Sequence, residues 1–593
     1  MPHGSDCSSF IPDTKRGYWV NPNDFIYAGL GLAFRLDMFS LPWFYLLEKN
    51  IIIVLIVYLI GLFIYIIPFI VIQSYLGQFS SSGFISAFRI TPLFKGIGYI
   101  TLALNLGALS FYSNYAVIPL VYVFGSLQPT LPWSCEGYRK WNIEEEITIC
   151  TLPDKNNTMV SDPDDYIYLN IQIPSVLYFK SLFNDINVLS YKDVEFSVSW
   201  QLIVCAILVW TVVIIFFYKF FNTKKFSQII RYTVWTLLGL LLILLIRLSF
   251  LPGSGKVFKR HITLVWDDII EIALSIPVYG ITAFGPGWGM FITLSSFNKF
   301  KTNVMKQSWI IALGQLGIVV GLDVMVKFIW QYYREEAVYY YPSDEEKVWF
   351  LHLTSGSAIS HMAWANLWSI LLYLMLFLSG MLLIIMQLYT ILTTIFDEFA
   401  NLREHKVKVC MGLIAATVVI SLYFTSNHGL VYFVTLLTDV YVSQTAINLL
   451  LILVVLWVYG RERFQRDIEF MINKRFSTWK IYVLRFVVPL GILLALFYGF
   501  ILANYFHEST HYLMTVLAFI YIIIPWLLIP VYGFYCICQK GNGSCKPRLQ
   551  HCCKPHDWHP VEQEERQRYE DELENINRNY QLNEINDANV MAT

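Results

Sequence analysis

IIIVLIVYLIGLFIYIIPFI, running from Ile51 to Ile70, contains no charged residue. Its length suits a helix crossing the ~30 Å hydrocarbon core of a bilayer, where the segment must satisfy every backbone N–H and C=O itself. Working outward from it, comparable runs fall near 26–47, 97–125, 198–218, 232–251, 268–295, 307–332, 367–396, 409–426, 429–459, 482–503 and 511–538. With 51–74 these predict an all-α polytopic membrane protein of about 12 transmembrane helices. Composition agrees. Of 593 residues 56% are hydrophobic and 14% charged, where soluble domains carry about 25% charged. The 17% aromatic content suits helices anchored at both membrane surfaces. A net charge of −1 gives no basic stripe for nucleic acid. No nucleophile–base grouping, metal-ligand spacing at membrane depth or Gly-rich phosphate loop points to an enzyme.

Lysine and arginine set the orientation. With a cytoplasmic N-terminus, the inner loops carry 18 Lys and Arg and the short outer loops 4. Both termini are therefore expected in the cytoplasm, at the plasma membrane, as a polar segment 1–23 and a tail 539–593 around a twelve-span unit 24–538. Residues 1–23 lack an apolar core, so no cleavable signal peptide is expected. The long loop 126–197 then faces outward, with Cys135 and Cys150 as a disulfide candidate and the acceptor triplet Asn156-Asn157-Thr158 for a glycan. The tail opens with Cys536, Cys538, Cys545, Cys552 and Cys553. Their spacing matches no paired zinc pattern, so they read as palmitoylation sites or reduced thiols, and no metal is expected. The acidic stretch Glu562–Glu574 reads as a solvated helix or a disordered segment.

Several stretches, in order, resemble the neurotransmitter:sodium symporter family, solute carrier family 6. They include Tyr75-Leu76-Gly77-Gln78-Phe79, Pro92-Leu93-Phe94-Lys95-Gly96 and Leu131-Pro132-Trp133-Ser134-Cys135. Leu251-Pro252-Gly253, Ser296-Phe297-Asn298-Lys299-Phe300, Asp397-Glu398-Phe399 and Trp457-Val458-Tyr459-Gly460 continue the set, as does Asp467-Ile468-Glu469. The resemblance covers roughly residues 20–560 and implies two inverted five-helix repeats, spans 1–5 and 6–10, with helices 1 and 6 broken around substrate at the midplane. Half-helix ends bind ions and substrate in such folds. The sequence offers the breaks: Gly29 and Gly31 in span one, and Pro277, Gly280, Gly285, Pro286, Gly287 and Gly289 in span six. Glycine costs about 1 kcal/mol against alanine inside a helix and proline about 3.

By the same resemblance, Phe34 or Arg35, Tyr112, Gly285 and Gly287 line the substrate site, and Ala33, Asp37 and Gln315 are cation candidates. Tyr58 is a chloride candidate and Asp439 a gate residue. The departures from the family pattern cluster at the ions. Met381-Leu382-Leu383 stand where relatives place sodium-ligand oxygens, and Val319 replaces a chloride-ligating serine. Asp37 falls at a sodium-site asparagine, and Ser40 replaces an outer-gate arginine. Span six allows two registers. One puts Gly285-Pro286-Gly287-Trp288-Gly289 at the unwound stretch with Ala283 for the family serine. The other keeps Ser275 in that role with an insertion after it. The first retains the Gly-Pro-Gly-aromatic-Gly pattern.

Charges at membrane depth are costly and face partners or cavities. Arg35 either takes the place of sodium against a substrate carboxylate or forms a neutralising pair with Asp37 or Asp439. Asp323 and Lys327, four apart in span seven, are expected to pair. The expected function is secondary active transport of an amino acid or related small amine or zwitterion, with the lipid bilayer and a small-molecule substrate as partners. Na+, and Cl− beside it, are the coupling ions the resemblance implies. Leu382, Leu383 and Val319 bring them into question, so proton-linked or uncoupled exchange also stands. The alternative is a non-transporting relative acting as a sensor or escort of another membrane protein. An oligomer stays open.

Overall fold

The charge-free run forms one long helix with a built-in adjustment. Ile51–Gly61 is α-helical, Leu62–Ile66 widens to a π-turn, and Ile67–Ser80 resumes the α-helix. Pro68 explains the bulge. It has no N–H and its ring crowds the carbonyl four residues back, and a wider turn removes the clash. Accordingly the Ile67 N–H reaches back to the Leu62 carbonyl. The chain is seen in a computed structural model that describes residues 10–13, 15–35, 51–141, 174–183, 196–221, 223–257, 288–336, 349–507, 523–539 and 545–591.

Among the described residues no strand forms, and nine helices are long and apolar enough to cross a membrane. They span 52–80, 92–126, 200–220, 223–248, 304–332, 365–398, 400–423, 440–472 and 478–497, against expected spans two to five and seven to eleven. Of span one 24–34 is described, of span six the part from 288, and of span twelve 523–539. Span three departs from a single straight helix. It divides at Ser113 into Gly96–Tyr112 and Asn114–Ser126, and Pro119 sits inside the second part.

Small residues let helices meet closely. A Cβ at Gly77 would lie 1.8 Å from the Ile292 carbonyl oxygen, so Ile67–Ser80 and Met290–Ser295 touch backbone to backbone. A Cβ at Gly380 would lie 2.4 Å from the Tyr115 carbonyl oxygen, which brings Ala365–Glu398 against Asn114–Ser126.

The described parts of the two terminal segments meet. The Phe10 N–H donates to Asp557 Oδ2 at 3.1 Å, and the His556 N–H donates to the Arg89 carbonyl at 3.1 Å. Burial pulls the Arg89 guanidinium down to about 10, opposed by Asp557, Asp397 and Glu398, so it stays charged at neutral pH. Arg16 straps the same region. It pairs with Asp397 at 3.1 Å, donates to the Ser81 carbonyl at 2.7 Å and to Ser296, and lies over the Phe297 ring.

The tail corrects one expectation. Gln563–Met591 is helical, but one side of it is docked rather than solvated: Tyr569 and Glu565 are buried. The anchor is Asp467, itself fully buried in Arg461–Ile472. It accepts from Tyr75 Oη at 2.8 Å, Tyr569 Oη at 2.9 Å and Trp558 Nε1 at 3.2 Å, and also from Tyr459 Oη. Trp558 stacks on Phe79 with centroids 5.0 Å apart, and Lys301 pairs with Glu565 at 2.7 Å.

Candidate functional site

The described helix of span one ends beside its glycines and before Arg35. The helix Asp24–Gly31 tightens to a 3₁₀ turn over Leu32–Phe34, and Arg35 is extended at φ −76°, ψ 122°. Helix ends expose backbone groups that need outside partners. One is supplied across the bundle: Gln315 Nε2 donates to the Gly29 carbonyl at 2.6 Å. Gly29 has to be small, because a Cβ there would lie 2.8 Å from Ile311.

Arg35 is 1% exposed. Its guanidinium sits 4.9 Å from the Trp288 ring centroid and 5.8 Å from that of Tyr112, and Nη2 donates to Tyr112 Oη at 3.3 Å. A cation over aromatic faces in a desolvated site is held by about 2 kcal/mol or more. The aromatic wall continues through Tyr115, 5.7 Å from Tyr112, to Phe433 at 5.3 Å from Tyr115 and Trp349 at 5.0 Å from Phe433.

Trp288 opens the described part of span six. Gly289 follows with φ +67°, a left-handed conformation in which a Cβ would also strike Phe84 at 2.8 Å, and the helix Met290–Ser295 begins there. A helix therefore begins at the aromatic-Gly end of the Gly-Pro-Gly-aromatic-Gly pattern, whose Gly285, Pro286 and Gly287 lie outside the described residues. The Trp288 carbonyl accepts from Asn105 Nδ2 at 3.1 Å, and Gln387 Nε2 donates to the Asn105 carbonyl at 3.0 Å and to its Oδ1 at 3.2 Å. These buried amides fasten the start of the described part of span six to spans three and eight. Neither was singled out from the sequence, although an isolated Asn or Gln in an apolar helix is itself a signal.

Phe34, Ala33, Tyr58 and Val319 are all buried. Leu382 and Leu383 are buried too, and a Leu382 methyl lies 3.2 Å from where a Gly31 Cβ would stand. Hydrocarbon, rather than oxygen, therefore lines that contact between spans one and eight. Asp323 and Lys327 pair at 3.4 Å as expected. Cys135 is disulfide-bonded. Asp37, Gly285, Gly287, Cys150 and Asn156 lie outside the described residues, as does the side chain of Asp439. Among the described residues no group of three His, Cys, Asp or Glu could hold a metal ion.

A first-span helix that ends before Arg35, a sixth-span helix that begins after Gly289 and a buried site between them agree with what the sequence resembles. The model of the Sodium:neurotransmitter symporter family matches residues 16–540. The chain belongs to that family. Among known members, this symporter-family chain is 26% identical to the human Sodium- and chloride-dependent neutral and basic amino acid transporter B(0+), over 94% of the chain and 91% of the relative. It is 25% identical to the Xenopus laevis Sodium- and chloride-dependent glycine transporter 1, over 95% and 91%. It is 26% identical to the Bos taurus Sodium- and chloride-dependent creatine transporter 1, over 92% and 87%. Symporter-family members are multi-pass membrane transporters rather than enzymes, and at this identity the chain is a divergent one.

Proposed function

We propose that this chain is a plasma-membrane secondary transporter of an amino acid or a related small zwitterion, with both termini cytoplasmic and altered ion coupling. The observation that carries the reading is Arg35, buried just past the described helix of span one beside Tyr112 and Trp288. Guanidinium is a planar fork of N–H donors that matches a carboxylate and stays protonated. The aromatic wall supplies an apolar surface for the rest of a small cargo. Relatives named for amino acids, glycine and creatine, all of them carboxylates, support this choice of substrate class.

In this reading Arg35 provides the positive charge that sodium gives in relatives. Leu382 and Leu383 support it, because a hard cation takes oxygen ligands and leucine has none. Asp37, Ala33 and Gln315 remain the cation candidates, and Tyr58 without a serine at Val319 leaves chloride a partial site. Cys135–Cys150 and a glycan on Asn156 belong to the outer loop 126–197. The same leucines favour a second reading, a non-transporting relative that escorts another membrane protein.

Labelled amino acids and amines are offered to cells with confirmed surface expression, in sodium and in choline medium. Carboxylate-bearing substrates should enter in both media, and Arg35→Gln should abolish uptake with expression retained. Unchanged uptake by Arg35→Gln removes Arg35 from the site. Silence across the panel, with another transporter co-purifying, selects the escort.

A further inference from the structure

Five cysteines crowd the start of the tail, and the four whose side chains are described, Cys536, Cys538, Cys552 and Cys553, occupy distinct environments. Cys536 lies in the last turn of Leu528–Gln539, where the twelfth span ends, and Cys552 closes the short helix Cys545–Cys552. Both are buried, and both are reduced. Their sulfurs are 3.1 Å apart. Cys538, by contrast, is exposed, and Cys553 is half-buried with its thiol pushed up by burial. A cavity of about 560 Å³ opens on the same face and has Cys536 in its wall, with Arg89, Lys95, Arg403 and His556 also lining it. The cavity therefore brings a small polar oxidant alongside one residue of the pair, although little of either side chain is open to solvent.

We propose that Cys536 and Cys552 are a thiol–disulfide site, oxidised by a hydroperoxide, that staples the tail to the end of span twelve. The Cys536 sulfur attacks one peroxide oxygen. The O–O bond breaks, water leaves and a sulfenic acid remains. The Cys552 sulfur then attacks the Cys536 sulfur, the S–O bond breaks, and the hydroxyl departs with the second thiol proton as water. Two thiols lose two electrons, one hydrogen peroxide gains them, and the products are a disulfide and two waters. The sulfurs must approach to about 2.0 Å, the length of the bond.

The staple acts on the docked tail. His556, Asp557 and Trp558 follow Cys552 within six residues and bind Arg89, Phe10 and Asp467. A tethered Cys552 keeps those groups at their partners. The proposal takes from the functional reading only that this face is cytoplasmic, where the resting pair is held reduced. Its test does not require transport.

Purified full-length protein in detergent is exposed to hydrogen peroxide, alkylated, digested and mapped by mass spectrometry. The expected result is loss of two alkylatable thiols and a Cys536–Cys552 cross-linked peptide, both reversed by dithiothreitol. Cys552→Ser should abolish the cross-link, and Cys538→Ser with Cys553→Ser should leave it intact. Either of those variants suffices if another does not fold. Oxidation confined to Cys538, or a disulfide that uses Cys538 or Cys553, overturns the proposal. So does a pair that stays alkylatable when other thiols have reacted.

Discussion

Replacing Asp467 by Asn keeps the shape of the side chain and removes its charge and one acceptor oxygen. Five donors converge on the carboxylate: Tyr75, Tyr459 and, at 3.4 Å, Arg466 from the membrane unit, Trp558 and Tyr569 from the tail. Burial and the nearby carboxylate hold the Tyr569 phenol above its ordinary value, so it donates at neutral pH. Hydrogen bonds to a charged group contribute about 1.5–3 kcal/mol each, so the tail draws about 3–6 kcal/mol from Asp467. The amide has one acceptor oxygen for five donors, and its own NH2 faces donors. Half of the tail's share, about 1.5–3 kcal/mol, should be lost. The stacking of Trp558 on Phe79 and the Lys301–Glu565 pair remain, so the tail loosens rather than detaches. Tenfold per 1.4 kcal/mol converts this to roughly 10- to 100-fold faster hydrogen–deuterium exchange in Gln563–Met591. Lys406–Tyr423, remote from Asp467 in the chain, serves as the internal reference. Tail exchange within twofold of wild type would show that the anchor lies elsewhere and refute the reasoning.

Two glycines should respond with opposite signs. Gly77→Ala forces a methyl against Ile292 and should lower stability by about 1–3 kcal/mol or more, whereas Gly239→Ala, with nothing within 4 Å, should raise it by about 0.5–1 kcal/mol. Thermal unfolding followed by tryptophan fluorescence reads both. Leu382→Ser sets a hydroxyl beside Gly31 at a cost of about 2–5 kcal/mol. Sodium, compared with choline, should then raise the melting temperature of the variant but not of the parent or Leu382→Ala. Burial lowers the His559 imidazole below its usual 6.5, with Arg566 and Arg89 adding to the effect. The undocked tail therefore binds a proton first as pH falls through 6.5, and docking weakens on that acid side and is unaffected above it. Tail exchange at pH 5.5 against pH 7.5 reports this, and His559→Gln should flatten the difference.

Much of the architecture is legible because the bilayer imposes one requirement on every span, length without charge. Ile51–Ile70 satisfies it alone. The end of the described helix in span one is legible for the opposite reason, since Gly29 and Gly31 are poor helix interiors. Arg35 and Tyr112 are found together as expected. What brings Trp288 over Arg35 is a contact between spans one and six, which no local pattern encodes. The same holds for Asn105 with Gln387, and for Asp467, whose partners come from residues 75, 459, 558 and 569. An acidic helix docked by one tyrosine differs little in composition from one in water, which is why Glu562–Glu574 reads as solvated.

Arg35 bears on the energetics of accumulation. An ion that travels with its cargo carries charge through the field, and each elementary charge draws about 2.3 kcal/mol from 100 mV of membrane potential. A guanidinium fixed to the chain balances a carboxylate just as well, yet it never leaves with it. A zwitterion moved on such terms crosses electrically silent, and neither voltage nor a sodium gradient can concentrate it. The cell that uses such a carrier would equalise its cargo across the membrane, or trade one cargo molecule for another, instead of hoarding it.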